Sequence, residues 1–109
     1  MNYNDIIFYD YETGSRNPNK TQPIQLAAVA VNGRSLSIIH GSEFNSLIKP
    51  LSDEEAIKQG VDPLEDEALE VNGKTREELA QAPDAKVVWN NFTNYVDRYN
   101  YKGGQWNAP

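Results

Sequence analysis

Seven residues near the start, Asp5-Ile-Ile-Phe-Tyr-Asp-Tyr11, constrain the fold more than any others in the chain. Their density of β-branched and aromatic side chains, closed off by Gly14, marks a strand. With a side-chain period of two, Ile6, Phe8, Asp10 and Glu12 share one face, and Ile7, Tyr9 and Tyr11 share the other. Both faces are apolar until Asp10, which predicts a central strand covered on both sides.

The rest of the first half continues the sheet. Ile24-Gln-Leu-Ala-Ala-Val-Ala-Val31 reads as a second strand. Asn32-Gly33 is the strongest short hairpin signal in the chain. Its partner strand is expected from about Ser35 to Ile48, bent or bulged at Gly41-Ser42 and stopped by Pro50. The second half carries helix-start signals. Ser52-x-x-Glu55 reads as a capping box for a short helix ended by Gly60. Asp62-Pro63-x-Glu65 puts a cap, a first-turn proline and a third-position glutamate in register. Thr75-x-x-Glu78 opens a third short helix, ended by Pro83. Asp84 caps the one long helix, about Ala85 to Tyr101, in which Val88, Phe92, Tyr95, Val96 and Tyr99 form an apolar stripe for packing.

Composition narrows the function classes. At 109 residues the chain is one domain at most. Ten basic residues against sixteen acidic ones give a net charge of −6, which excludes a generally basic nucleic-acid surface. Eight of the acids, however, fall in residues 53–70 against Lys58 alone, so the remainder is near neutral. That run reads as a solvated helical face, and it lacks the D-x-[DN]-x-[DN]-G spacing of a calcium loop. It does not argue against nucleic-acid binding elsewhere. The absence of cysteine excludes disulfides, zinc–thiolate sites and thiol nucleophiles. A single histidine, His40, excludes a multi-histidine metal site. No window approaches eighteen apolar residues and the start carries no leader pattern, which implies a soluble, cytoplasmic chain with no membrane partner.

The chemistry concentrates in Asp10-Tyr11-Glu12-Thr13-Gly14. Carboxylates two apart on a strand face the same ligand, here at the strand's end beside a loop. Two hard oxygen donors so placed suit Mg²⁺ or Mn²⁺. Two such ions roughly 3.5–4 Å apart can activate a water and stabilise the leaving oxygen in phosphodiester cleavage. Acidic pairs at strand ends are common, and D-x-E alone carries little weight.

Four segments in order carry more. Ile6-Ile-Phe-Tyr-Asp10-Tyr-Glu12-Thr13-Gly14 resembles the first motif of the DEDD (DnaQ-like) 3′-5′ exonuclease superfamily, with Asp10-Tyr-Glu-Thr13 most like its exonuclease I branch. Pro23-Ile-Gln-Leu-Ala-Ala-Val-Ala-Val31 and Phe44-Asn-Ser-Leu-Ile-Lys-Pro50 resemble that family's second and third strands. Leu69-Glu-Val71-Asn72-Gly73-Lys74-Thr75 is similar to the segment in which relatives often carry His-Gly-Ile-Thr. The resemblance implies an α/β, ribonuclease H-like fold with a mixed sheet, of which this chain holds the N-terminal three antiparallel strands plus helices. It implies metal-dependent removal of nucleotides from the 3′ end of single-stranded DNA or RNA. Asp10 and Glu12 match the first two catalytic, metal-binding carboxylates. Thr13 matches a contact to the terminal nucleotide, and Val71 and Asn72 match the segment that packs on its base and holds its sugar.

This chain departs from the family pattern in two ways. Thr13-Gly14-Ser15 stands where Thr-Thr-Gly is common, and Asn72 stands where histidine is frequent. The two further aspartates and the general base of the family have no counterpart. Asp97, the one aspartate after Asp84, sits inside the long helix rather than in an Asn-x-x-Phe-Asp context. The expectation is therefore the N-terminal portion of an exonuclease domain, inactive alone, with an open sheet edge that pairs with a second copy. A non-catalytic module of the same fold, binding nucleic acid or a polymerase, is the alternative, disfavoured by retention of Asp10, Glu12 and Thr13. Arg16, Lys20 and Lys74 are phosphate-contact candidates that read by default as surface charges. Trp89 and Trp106 read as packing residues before base-stacking ones, and His40 lies far in sequence from the carboxylates.

Overall fold

A computed structural model describes residues 5–99. β1 (Ile6–Thr13), β2 (Pro23–Val31) and β3 (Phe44–Leu47) form an antiparallel sheet in the order β1-β2-β3. α1 (Asp53–Gln59), α2 (Asp66–Asn72), α3 (Arg76–Ala80) and α4 (Ala85–Arg98) follow. None of the helices among these residues is long and apolar enough to cross a membrane.

The apolar stripe of α4 packs on one face of β2 and β3. Val88, Phe92 and Tyr95 are buried against Leu26, Ala28 and Ile48, each such side chain contributing roughly 1.5–3 kcal/mol on leaving water. On β1, Tyr9 and Tyr11 stand opposite Ala28 and Leu26, and the Tyr9 ring meets Phe92 edge-on at 6.0 Å. Val96 and Tyr99 pack at the margin of this core. A second cluster, Ile24, Leu69 and Leu79 with Leu47 and Leu64, fixes α2 and α3 near the end of β1. The alternate β1 residues Phe8, Asp10 and Glu12 pair with Val29, Ala27 and Gln25 on the other face.

Three expectations require correction. β1 is an edge strand, because only β2 pairs with it among the described residues. Its apolar side chains accordingly remain open, with Phe8 58% and Tyr9 51% exposed. The third strand is four residues long instead of fourteen. Asn32 does not make a two-residue hairpin; its Oδ1 accepts from the backbone N–H groups of Arg34 and Ser35, which widens the turn. The positive φ falls on Leu36 (61°) rather than on Gly33. The buried Ser42 side chain serves the β2 edge there, accepting from Ala30 N–H and donating to the Ala30 carbonyl.

The second helix also starts late, at Asp66 instead of near Asp62. The carboxylates expected to cap it are engaged elsewhere: Asp62 accepts from Ser15 Oγ at 3.0 Å, and Glu65 accepts from the N–H of Arg16 at 2.6 Å. At α1 the capping box is half formed. Ser52 Oγ accepts from Glu55 N–H, whereas Glu55 takes its hydrogen bond from Gln59. The box at Thr75 and Glu78 is complete. Asp84 precedes α4 without a side-chain cap; Lys49 N–H donating to the Pro83 carbonyl anchors that helix start to the end of the sheet. Trp106 and the expected helix end at Tyr101 lie outside the described residues.

Candidate active site

The D-x-E pair sits where β1 runs out. Asp10 is exposed and Glu12 half-buried on the face away from α4. Immediately after Glu12 the register slips, so that Thr13 stands opposite Pro23. The Gly14 N–H donates to the Gln22 carbonyl, so the Thr13 carbonyl on the same trans peptide faces away from β2. Asn72, from the C-terminal end of α2, meets it there: its Nδ2 reaches the Thr13 carbonyl at 2.9 Å across 59 residues of sequence.

The loop after β1 is tied down over most of its length. Gly14 N–H donates to the Gln22 carbonyl and Glu65 N–H to the Gly14 carbonyl. Ser15 N–H donates to Thr21 Oγ1, and Gln22 Nε2 to the Asp62 carbonyl. Gly14 is itself closely surrounded, since a Cβ there would stand 2.5 Å from Leu64 Cδ2. Gly14 thus lets the loop lie directly on the segment that leads into α2.

Between the end of β1, this loop and α2 lies an open cleft of about 260 Å³ lined by Glu12, Thr13, Arg16, Glu67, Val71 and Asn72 among others. Glu12, Thr13, Val71 and Asn72, spread over sixty residues of sequence, therefore meet in one place. Asp10 does not line the cleft and stands one row further along the same face. Val71 is 79% exposed, an apolar side chain presented to solvent at the cleft. Tyr11 also lines it; burial, and then the neighbouring Tyr9, pushes its phenol above the usual tyrosine range.

Of the cationic candidates, Arg16 lines the cleft, whereas Lys20 and Lys74 do not. Its Nε lies 3.7 Å from Glu65 Oε1 and its side chain is largely exposed. His40 is exposed in the turn region before β3. Trp89 packs its ring 6.0 Å from Phe92 on α4. Sequence reasoning missed Gln25 and Asn45, which lie beside the carboxylates and are joined by a 2.7 Å bond from Gln25 Nε2 to Asn45 Oδ1.

Two carboxylates on one strand face are hard, anionic oxygen donors, a set that suits Mg²⁺ or Mn²⁺ in kind. No group of three or more metal-ligating side chains forms among the described residues. The donor set fits a divalent ion but is short of a closed site.

Solved structures give the fold. The chain matches cell-death related nuclease 4 (CRN-4) with TM-score 0.69 at 21% identity, over 88% of this chain and 31% of that one. It matches a 3′-exonuclease in 3′-end specific recognition of histone mRNA stem-loop with TM-score 0.69 at 18% identity, over 89% and 40%. E. coli exonuclease I in complex with a 5cy-dA13 oligonucleotide follows at TM-score 0.63 and 20% identity, over 85% and 18%. The sheet and helices are thus those of the ribonuclease H-like nucleases, and the chain spans well under half the length of each. No curated protein sequence matches significantly. The RNase_T family model, described as exonuclease, matches residues 7–104. The chain belongs to this exonuclease family, within the DEDD superfamily.

Proposed function

We propose that the chain is the N-terminal portion of a metal-dependent 3′-5′ exonuclease that removes nucleotides from the 3′ end of single-stranded DNA or RNA. The observation that carries this reading is the convergence of Glu12, Thr13, Val71 and Asn72 on one cleft, with Asp10 on the same strand face.

Asp10 and Glu12 would hold Mg²⁺ or Mn²⁺, which when bound activates water and offsets charge at the leaving oxygen. The chain's own residues do the rest. Val71 offers an apolar surface to the terminal base, and the Thr13 side chain and backbone border the nucleotide. Asn72 Oδ1 is an acceptor for a sugar hydroxyl. The clamped loop from Gly14 to Gln22 holds that wall in place before the substrate arrives, so little ordering is left for binding to accomplish. With two of the four carboxylates that the family resemblance implies, the chain alone is inactive. The open β1 edge would be covered by later strands in a complete domain and by a second copy in the isolated chain; a polymerase or replication protein is a separate candidate partner.

The test is a Mn²⁺ titration of the isotopically labelled chain, followed by paramagnetic broadening. Binding on the order of millimolar is expected for so few ligands. Broadening is expected first around Asp10, Glu12 and their pairing partners Ala27 and Gln25, and is lost in Asp10→Asn. Broadening confined to the acidic run 53–70 would instead mean counterion binding and overturn the metal assignment. Thymidine 5′-monophosphate is then added as a probe of the cleft, with shifts expected at Thr13 and Val71.

A further inference from the structure

We propose that Asn72 is a positioning residue for Glu12, acting through the Thr13 carbonyl rather than only as a contact to the nucleotide. The inference deepens the metal-site reading of Asp10 and Glu12, on which it rests.

Its origin is the backbone at the end of β1. The Thr13–Gly14 peptide directs its N–H to the Gln22 carbonyl, so the Thr13 carbonyl on the same trans peptide faces away from β2 and finds no partner in the sheet. A peptide carbonyl left half-buried without a partner is costly and free to tilt. The Asn72 amide satisfies it at 2.9 Å. The Thr13 peptide plane is thereby fixed one residue after the carboxylate that must point at a metal. Asp10 lies within the regular part of the ladder opposite Ala27, whereas Glu12, opposite Gln25, is the last regular pair before the slip. The two carboxylates thus differ: both are paired with β2, but the peptide that follows Glu12 is held in addition by a side chain from α2.

Asn72 is itself held. Gly73, at φ 66°, ends α2 directly after it, with its N–H on the Leu69 and Glu70 carbonyls. Leu69 is buried in the cluster with Ile24 and Leu79. Movement of α2 would therefore be felt beside Glu12 through the Asn72–Thr13 bond, as well as through the Glu65 N–H on the Gly14 carbonyl. With one Nδ2 hydrogen committed to the Thr13 carbonyl, the side chain keeps its oxygen, an acceptor, and a second N–H for other partners. The positioning role and a sugar contact through Oδ1 are compatible, and they are separable by experiment.

The experiment uses the 109-residue chain with Asn72→Leu, close in shape but unable to donate, and Asn72→Ala as a second variant. The first readout is metal-free: the Glu12 side-chain carboxylate resonance and the Glu12 and Thr13 amide resonances. These are expected to move in both variants while the Asp10 carboxylate stays, and Asn72→His is expected to restore them, since its Nδ1–H sits at the same remove from the backbone. The second readout is Mn²⁺. Removal of a group that orients a ligand weakens metal binding about tenfold or more, so an approximately tenfold loss is expected, with residual broadening shifted toward Asp10 and Ala27. A general loosening of the fold would weaken both ends of the site alike. Unchanged Glu12 and Thr13 resonances in the metal-free variants would overturn the proposal whatever the metal does. Absence of localised Mn²⁺ broadening in the unmodified chain would overturn the metal reading, leaving the first readout to decide the role of Asn72.

Discussion

Tyr95 on α4 donates its phenolic hydrogen to the backbone carbonyl of Ser42 at 2.7 Å, inside the core and across 53 residues of sequence. Ser42 in turn exchanges hydrogen bonds with Ala30 through its side chain. One tyrosine thus ties the long helix to the irregular segment that replaces the expected third strand. Tyr95→Phe keeps the ring and deletes the donor, stranding a buried carbonyl. The expected cost is about 1–3 kcal/mol, read as a shift of the urea midpoint with an unchanged slope. A variant as stable as the parent would mean that water replaces the phenol.

The same group sets an alkaline limit. Burial, then the neighbouring Tyr99, pushes the Tyr95 phenol up to about 12, against a small lowering by Arg98. The unfolded chain releases this proton near the ordinary value of 10. Above that pH the unfolded state binds fewer protons than the native one, so the stability is complete below 10 and is lost as pH rises toward 12. Melting temperatures recorded through this window are expected to fall more steeply for the parent than for Tyr95→Phe. Parallel curves would remove Tyr95 as the cause.

Local signals were legible in the sequence and long-range substitutions were not. The density of β-branched and aromatic residues located β1, the apolar run Ile24 to Val31 located β2, and the helical stripe placed Val88, Phe92 and Tyr95 on the buried side of α4. Thr75 and Glu78 formed their reciprocal cap because both partners lie within one turn. Asp62 and Glu65 fit a cap pattern equally well, yet Ser15 and Arg16, nearly fifty residues earlier, claim their carboxylates. Asn32-Gly33 failed as a two-residue turn because the Asn32 side chain takes the Arg34 and Ser35 N–H groups, and the returning chain pairs only at the Val31–Ile38 bridge before Ser42 bonds Ala30. For the site, spacing put Asp10 and Glu12 on one face, and family resemblance singled out Thr13, Val71 and Asn72. Neither revealed that the Thr13 carbonyl turns away from β2 to meet Asn72, because that depends on where α2 packs, 59 residues further on.

The Ser15–Asp62 bond makes the cleft wall testable. Ser15 is buried, and its hydroxyl reaches Asp62 Oδ2 at 3.0 Å. Ser15→Ala and Asp62→Ala are each expected to destabilise by about 1 kcal/mol, with the double variant costing less than the sum because one bond is shared. Amide exchange of residues 14–22 is expected to accelerate in all three. Additive costs with unchanged exchange would show that the backbone bonds alone hold the loop.

Ile6, Phe8, Tyr9 and Tyr11 are all substantially exposed, on both faces of β1. Burying each would contribute roughly 1.5–3 kcal/mol, a sizeable share of the ~5–15 kcal/mol that stabilises a small domain. The strand's outward N–H and C=O groups add a template for another strand. Against association stand Asp10 and Glu12 on the same strand and a net charge of −6 per chain, a repulsion that salt screens. Sedimentation and melting are therefore expected to depend on protein concentration, with self-association strengthened between low and moderate ionic strength. Phe8→Glu, which removes apolar surface on the open face and adds like charge, is expected to abolish that dependence while leaving the α4 core intact. A concentration-independent monomer melting sharply above about 65 °C, beyond the usual mesophile range, would show that β1 is stable as a bare edge and needs no strand beside it.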